Sequence, residues 1–322
     1  MLEFFTLEKD IGPRFRYDEP LAKHLYIKIG GLARYFAEVQ TVEEVALAVQ
    51  SAESAGLPWF AFGGGSNMLV ADEGWEGLAI KLVNRDIRIE GTRVTVGAGA
   101  PSVLVARKAA EAGLHGFAWA ITLPGTIGGA VRGNAGCFGG EMKDAVREVT
   151  VVRGDRVLVL TGEECHFAYR QSVFKEAVNK DVIWSVVLEL APGVVAEELA
   201  ALTEVMAKRK ATQPLGTSSA GCMFKNLDQL TGEEVARVNE VALVPEQMLA
   251  THRIAAGWII EQLGAKGWRV GDAQVSDVHG NFVLNQGKAT ARDVRDLVMK
   301  IQQAAREKFG VSLEPEVQFY GF

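Results

Sequence analysis

Three side chains of this 322-residue chain are of types that can steady or discharge a developing negative charge. Arg170 stands in the run Tyr169-Arg170-Gln171-Ser172-Val173-Phe174-Lys175. A guanidinium there could grip a carboxylate through two parallel hydrogen bonds, but alone such a residue more often serves in a surface salt bridge. Cys222 follows Ser218-Ser219-Ala220-Gly221, small residues that would leave its sulfur open to a ligand. No base accompanies it, so donating a proton suits it better than nucleophilic attack. A free thiol with a pKa of about 8.5 is mostly protonated at neutral pH. A single cysteine is also an ordinary small core residue. Glu316, in the tail Leu313-Glu314-Pro315-Glu316-Val317, says little alone, because a glutamate beside a proline is normally solvated.

Two glycine-rich segments offer binding rather than chemistry. In Gly63-Gly64-Gly65-Ser66-Asn67, consecutive glycines let backbone N–H groups crowd an anion, and Ser66 and Asn67 add polar side chains. A tight turn is the alternative; the buried run Trp59-Phe60-Ala61-Phe62 just before it favours phosphate binding. The loop is not a dinucleotide fingerprint, which needs GxGxxG opening a helix, and Met68-Leu69-Val70-Ala71-Asp72 carries no helical stripe. It is not a P-loop either, since no GK[ST] follows. The second segment runs Leu123-Pro124-Gly125-Thr126-Ile127-Gly128-Gly129-Ala130-Val131, then Asn134-Ala135-Gly136. It is too apolar for a solvent loop and too glycine-rich for a core helix. It suits backbone laid against a flat ligand, or a glycine-mediated helix–helix contact.

Ordinary elements must position these residues. Thr41 and Glu44 form a capping-box pattern ahead of the stripe Val42, Val45, Ala46, Val49, Ala52, and Gly56 stops it. With Ala37-Glu38-Val39 before and 59–62 after, this is a strand–helix–strand unit. Strands are expected at 78–82, 87–90, 94–96, 149–152, 157–160, 182–190 and 281–285. Helices are expected at 102–112, 196–210 and 256–263. Thr290, with Asp293 in the box position, caps a long helix whose stripe is Val294, Leu297, Val298, Ile301 and Ala305. After Gly310 the extended tail should return to a sheet, in an earlier domain if the chain has several.

Composition bounds the rest. With 48% hydrophobic and 23% charged residues the chain is an ordinary globular protein, long enough for two or three domains. A net charge of −6 gives no general attraction to nucleic acid. Cys137, Cys165 and Cys222 are scattered without metal-ligand spacing, which suits a reducing compartment and no metal. The N-terminus is charged too early for a signal peptide. The longest uncharged stretch, 116–131, is broken by Pro124 and glycines and is a poor membrane span. The expectation is a cytoplasmic protein, with no membrane, nucleic-acid or obligate protein partner.

Taken together and in order, these segments resemble the UDP-N-acetylenolpyruvoylglucosamine reductase family. The matching pieces are Ile29-Gly30-Gly31-Leu32-Ala33, the 63–67 loop, Pro124 to Val131 with Asn134-Ala135-Gly136, Tyr169 to Ser172, Ala220-Gly221-Cys222-Met223-Phe224-Lys225-Asn226, Ala256-Gly257-Trp258-Ile259-Ile260-Glu261, and Leu313 to Val317. Each is weak alone; seven in order are specific. The resemblance implies an α+β protein: a two-part FAD-binding fold of the vanillyl-alcohol oxidase type (1–83 and 84–210, the latter joined by tail 312–322) and a C-terminal substrate-binding α/β domain (211–311).

It also implies a reaction. NADPH reduces non-covalently held FAD. Flavin N5 then passes hydride to the methylene carbon of the enolpyruvyl ether of UDP-N-acetylglucosamine, and a proton completes UDP-N-acetylmuramate for peptidoglycan synthesis. On this likeness Gly63, Gly64, Gly65, Ser66, Asn67, Leu123, Pro124, Gly125, Thr126, Gly128, Gly129, Asn134 and Gly136 hold the cofactor. Tyr169, Lys225, Asn226 and His279 contact substrate; His279, in the turn His279-Gly280-Asn281, also reads as a surface histidine. Arg170 would neutralise the enolate. Glu316 would hydrogen-bond the carboxylate if protonated, or orient Arg170 if ionised. Cys222 stands where better-known members carry a serine as proton donor. A thiol is more acidic than a hydroxyl but makes the weaker hydrogen bond. The short span from Arg170 to Cys222 also lacks the tyrosine-bearing loop that covers substrate in some members. Two rivals remain: another flavoenzyme of this fold, tethering flavin through Cys137, and a nucleotide-sugar binder without activity.

Overall fold

The strand–helix–strand unit near the N-terminus forms because each local signal agrees with the next. In the computed structural model, which describes residues 4–176, 178 and 180–322, the helix is Val42–Ser54. Thr41 Oγ1 accepts the Glu44 N–H at 3.2 Å. The Glu44 carboxylate takes the Gln40 N–H at 2.6 Å and is clamped by both Nη atoms of Arg14. Val45, Ala48, Val49 and Ala52 are buried. Such a crossover is what two strands need to run parallel in one sheet. The sheet's order is Phe15–Pro20, Leu32–Val39, Trp75–Leu82, Trp59–Phe62, and Trp75–Leu82 pairs in parallel with both the second and the last. Residues 1–3, part of the segment read for a signal peptide, lie outside the described residues.

The chain divides into two units. Unit 1 comprises Met1–Glu19, Leu32–Gly65 and Trp75–Ala211; unit 2 comprises Pro20–Gly31, Ser66–Gly74 and Thr212–Phe322. Besides the first sheet, unit 1 contains an antiparallel one in the order Arg156–Thr161, Val146–Arg153, Val182–Glu189, Arg93–Gly97, Ile87–Glu90. Besides Val42–Ser54 its helices include Phe5–Ile11, Ser102–Glu111, Ile127–Arg132 and nearly all of Val195–Thr212, and one apolar cluster from Phe4 to Leu202 forms its core. The helix Ile127–Arg132 departs from the expectation of a segment too glycine-rich for a core helix. Its glycines permit it: a Cβ on Gly128 would stand 2.7 Å from Ala98 Cβ, so only glycine lets this helix lie so close to residue 98.

Unit 2 carries the antiparallel sheet Ser219–Cys222, Phe282–Asn285, Ala273–Val275, Arg269–Val270. The long helix is Ala291–Phe309, with the Thr290–Asp293 box complete and Gly310 in the left-handed region at φ 66°. Its expected stripe is buried, extended by Ala291 and Phe309. The tail does return to a strand: Gln318–Tyr320 pairs in parallel with Met68–Val70. That partner lies within residues 1–83, not in the 84–210 segment the tail was expected to join. The helix Gly232–Val241 was not anticipated, although Thr231 and Glu234 form a full capping box at its start. No helix among the described residues is long and apolar enough to cross a membrane.

Candidate functional site

In unit 1 the two glycine-rich segments pack on each other, and the glycines are what allow it. A Cβ on Gly64 would stand 2.8 Å from Gly125 Cα, and one on Gly63 would stand 3.0 Å from Thr126 Cβ. Real Cβ atoms do not come so close to backbone, so Gly64 must be glycine, and at Gly63 a Cβ would have to displace the Thr126 side chain. Gly65 and Gly125 have positive φ, 62° and 98°. The second segment is pinned from below: Ser102 N–H donates to Gly125 C=O (3.2 Å), Ile127 N–H to Ala100 C=O (3.0 Å), and Gly128 N–H to Ala98 C=O (2.9 Å).

Gly129 is different. It is exposed, and apart from its chain neighbours and its own helix backbone, the only described atom within 4 Å of a Cβ built there is Thr126 Oγ1 at 3.9 Å. Protein packing does not require that glycine; a flat ligand lying on bare backbone would. Leu123, Pro124, Gly125 and Thr126 are half-buried around it. An extended cofactor with an anionic middle fits this surface of side-chain-free backbone.

Asn134 is spent inside the loop. It is fully buried at φ 39°, its Nδ2 donates to Glu141 Oε2 (3.1 Å) and Ala168 C=O (2.9 Å), and its Oδ1 accepts the Lys143 N–H (3.0 Å). What it gives a ligand is the shape of the loop. At Gly136 a Cβ would stand 2.6 Å from both Glu141 Cγ and Gly140 O.

Gly136 also anchors Arg170, whose Nη2 donates to its carbonyl at 2.7 Å. Tyr169 and Arg170 are the central pair of a tight turn closed by two hydrogen bonds between Ala168 and Gln171, each 3.1 Å. Arg170 occupies the left-handed region at φ 53°, which costs a non-glycine residue about 1–2 kcal/mol. The surroundings hold it there. Lys175 Nζ donates to the Arg170 carbonyl at 2.8 Å, the guanidinium lies 5.1 Å over the Tyr169 ring, and buried Ser172 Oγ donates to Arg132 C=O at 2.6 Å. Asp18, Lys28 and His166 share a positive φ, so the conformation alone does not single out Arg170. The sulfur of Cys137 lies 3.6 Å from Thr122 Oγ1 and from Trp119 C=O, and burial pushes its thiol above the usual range. That disfavours the thiolate a covalent flavin tether would need.

The unit boundary falls inside the first loop, after Gly65, so Ser66 and Asn67 belong with the tail. Asn67 Nδ2 donates to Glu316 C=O at 3.2 Å, and Gln318 N–H donates to Asn67 C=O at 3.0 Å. Cys222 ends the strand Ser219–Cys222. There a bulge sets three steps against two of the partner strand, and Gly221 takes φ 82°. Bulges of this kind re-aim a side chain; Cys222 is half-buried. The tail then runs beside the following residues. Glu316 N–H donates to Met223 C=O at 2.8 Å and Lys225 N–H to Glu314 C=O at 2.9 Å. Glu316 is thus held by the carbonyl of the residue after Cys222.

The remaining candidates of unit 2 adjoin this bridge. Lys225 Nζ pairs with Glu314 Oε1 at 2.6 Å. Asn226 Oδ1 accepts the Ala256 N–H at 3.2 Å, at the start of helix Ala256–Gln262. His279 is half-buried against Gly257, where a Cβ would stand 2.9 Å from its Cε1. Burial lowers its pKa, Glu261 partly offsets this, and Lys266 lowers it further. Its Nδ1 accepts the Asn281 N–H at 3.1 Å, so the proton of the neutral ring sits on Nε2.

Two features escaped the sequence reading. Asn281, read only as the start of a strand, is buried and bonds both peptide groups of Phe224. A polar residue opening an apolar strand was its one visible sign. Nothing local in the sequence explains the Gly30–Gly31 pair. Gly31 N–H donates to Ala71 C=O at 2.9 Å, and a Cβ there would stand 2.6 Å from Gly74 N, so this pair seats the 71–74 turn below the tail strand.

Residues 33–161 match the FAD binding domain family, and residues 213–320 match the C-terminal domain family of UDP-N-acetylenolpyruvoylglucosamine reductase. The chain is 38% identical over 319 residues to UDP-N-acetylenolpyruvoylglucosamine reductase 2 of Symbiobacterium thermophilum, covering 98% of this chain and 95% of that one. It is 37% identical to the reductase of Agathobacter rectalis, covering 94% and 93%. Among solved structures, the UDP-N-acetylenolpyruvylglucosamine reductase of Thermus caldophilus superposes with a TM-score of 0.75 at 33% identity, covering 95% of this chain and 98% of that one.

Proposed function

Because this chain belongs to the UDP-N-acetylenolpyruvoylglucosamine reductase family, we propose that Arg170, Cys222 and Glu316 carry its chemistry, with Cys222 as the proton donor. The protein is a flavoprotein oxidoreductase that uses FAD and NADPH to reduce enolpyruvyl-UDP-N-acetylglucosamine in peptidoglycan precursor synthesis. The bulge that presents Cys222 next to the bridge holding Glu316 is the observation that carries the proposal.

The glycine loops at 63–65 and 123–136 are assigned to the cofactor, with Ser66 and Asn67 continuing the first. Bound FAD supplies the substrate's methylene carbon with a hydride that originates on NADPH. The electron pair of the carbon–carbon double bond then moves to the neighbouring carbon and into its carboxylate. Arg170, its turn already fixed, meets that charge without reorganising, which is where preorganised cations gain most. The Cys222 S–H bond gives its proton to the neighbouring carbon, and the resulting thiolate recovers a proton from water. Glu316 hydrogen-bonds the developing carboxylate when protonated. Tyr169, Lys225, Asn226 and His279 contact substrate, His279 through its Nε2–H. The cytoplasm, where NADPH and nucleotide sugars are available, is the compartment this reaction needs.

Under nitrogen, the yellow protein should bleach with NADPH and recover its colour when the enolpyruvyl substrate is added. Acid precipitation should leave the flavin in the supernatant. Bleaching without recovery would favour a binder without this activity, and flavin in the pellet would favour a tethered oxidase of the same fold.

A further inference from the structure

Asn281 is only 3% exposed, and its side chain acts as a piece of backbone. Oδ1 accepts the Phe224 N–H at 2.9 Å, and Nδ2 donates to the Phe224 C=O at 2.8 Å. Its own carbonyl accepts the Met223 N–H at 2.7 Å. The Met223 carbonyl, in turn, takes the Glu316 N–H. The regular register of strand Ser219–Cys222 with its neighbour ends at Cys222↔Phe282. Beyond it, one asparagine continues the ladder for the next two residues. The Asn281 N–H meanwhile fixes His279 Nδ1 as an acceptor.

We infer that Asn281 is the positioning residue for proton delivery, locking the segment that starts at Cys222 and carries the bridge to Glu316. The inference rests on the reading of Cys222 as the donor. The physical ground is that Met223 and Phe224 are fully buried. Without the Asn281 amide, a buried N–H and a buried C=O of Phe224 lose their partners, and the segment must shift to satisfy them. Proton transfer tolerates little displacement: about 1 Å can cost roughly 100-fold in rate.

The test separates the two half-reactions in the FAD-loaded protein by stopped flow. In Asn281→Ala, flavin reduction at saturating NADPH should stay near the wild-type rate, while reoxidation by the enolpyruvyl substrate slows by roughly 10- to 100-fold. The same substitution in a Cys222→Ala background should slow reoxidation far less, because the donor it positions is already gone. Asn281→Asp, whose Oδ1 can still accept the Phe224 N–H, should fall between wild type and Asn281→Ala. Full additivity of Asn281→Ala with Cys222→Ala overturns the inference while leaving the donor in place. Normal reoxidation in Cys222→Ala alone shows instead that the underlying reading has failed. If neither Asn281 variant yields flavin-loaded protein with normal NADPH reduction, Asn281 is a folding residue and the inference is wrong.

Discussion

The glycine loops of unit 1 and the tail bridge of unit 2 prepare for a ligand by opposite means. Around residues 63–65 and 125–128 the work is done by atoms that are missing. Gly64 and Gly128 bring segments to distances no Cβ would allow. Around Cys222 and Glu316 it is done by groups that are present: a bulge, a bridge between residues 223–225 and 314–316, and the buried Asn281 amide. The first arrangement exposes bare peptide to a large flat group. The second holds single side chains at defined positions. On the proposed reading, the first holds a cofactor that stays bound and the second delivers a proton to one carbon.

The largest effect should come from the side-chain arrangement. Cys222→Ala should leave flavin reduction by NADPH near normal and slow reoxidation by substrate by about 100- to 10,000-fold, the range for losing a general acid. Cys222→Ser should keep much of the activity, and Arg170→Ala should damage the same half-reaction. Stopped-flow absorbance of the flavin reads both steps. Reoxidation at the normal rate in Cys222→Ala would assign the proton to another group or to water.

A pair of neighbouring glycines sharpens the other half of the comparison. Alanine in place of a helical glycine contributes about 1 kcal/mol from propensity alone. At Gly128 that gain meets a clash with Ala98, and overpacking costs about 1–3 kcal/mol. Gly128→Ala should therefore be destabilised by up to about 2 kcal/mol. At Gly129 nothing is in the way. Gly129→Ala should make the flavin-free protein more stable by up to about 1 kcal/mol and yet bind FAD more weakly. Denaturant unfolding of both apoproteins, with flavin titration, tests the pair. Wild-type flavin affinity in Gly129→Ala would mean the cofactor does not lie on that surface.

The same contrast decides what could be read from the chain. Glycine runs announce themselves in sequence, and so do period and caps, which is why Thr41, Thr290 and the stripe of helix Ala291–Phe309 were legible. The helix Ile127–Arg132 was hidden because glycine argues against helix locally, while its packing on Ala98 is a tertiary fact. The roles proposed for Arg170, Cys222 and Glu316 come only from the order of the motifs. Nothing in a proline-flanked glutamate says that its N–H will meet Met223. Asn281 lies 57 residues from the peptide it holds, and no local pattern encodes such a pairing. The tail was legible as a strand, but not its partner, because any exposed edge would accept it.

The smallest effect concerns His279, where the two means of preparation meet: its ring lies against Gly257 and accepts a backbone N–H. Its ordinary pKa is 6.5, and burial holds the folded value below that, against the pull of Glu261 and with the help of Lys266. Between the folded value and 6.5 the unfolded chain binds more protons. Stability from this residue is therefore complete above pH 6.5 and is lost as pH falls through the folded value. Replacing His279 by Gln removes the titration. The unfolding free energies of wild type and His279→Gln should differ by a constant amount above pH 6.5, and the wild type should lose ground below it. Parallel curves across that range would mean that the ring titrates as freely in the folded protein as in the unfolded chain, and that Nδ1 is not committed to Asn281.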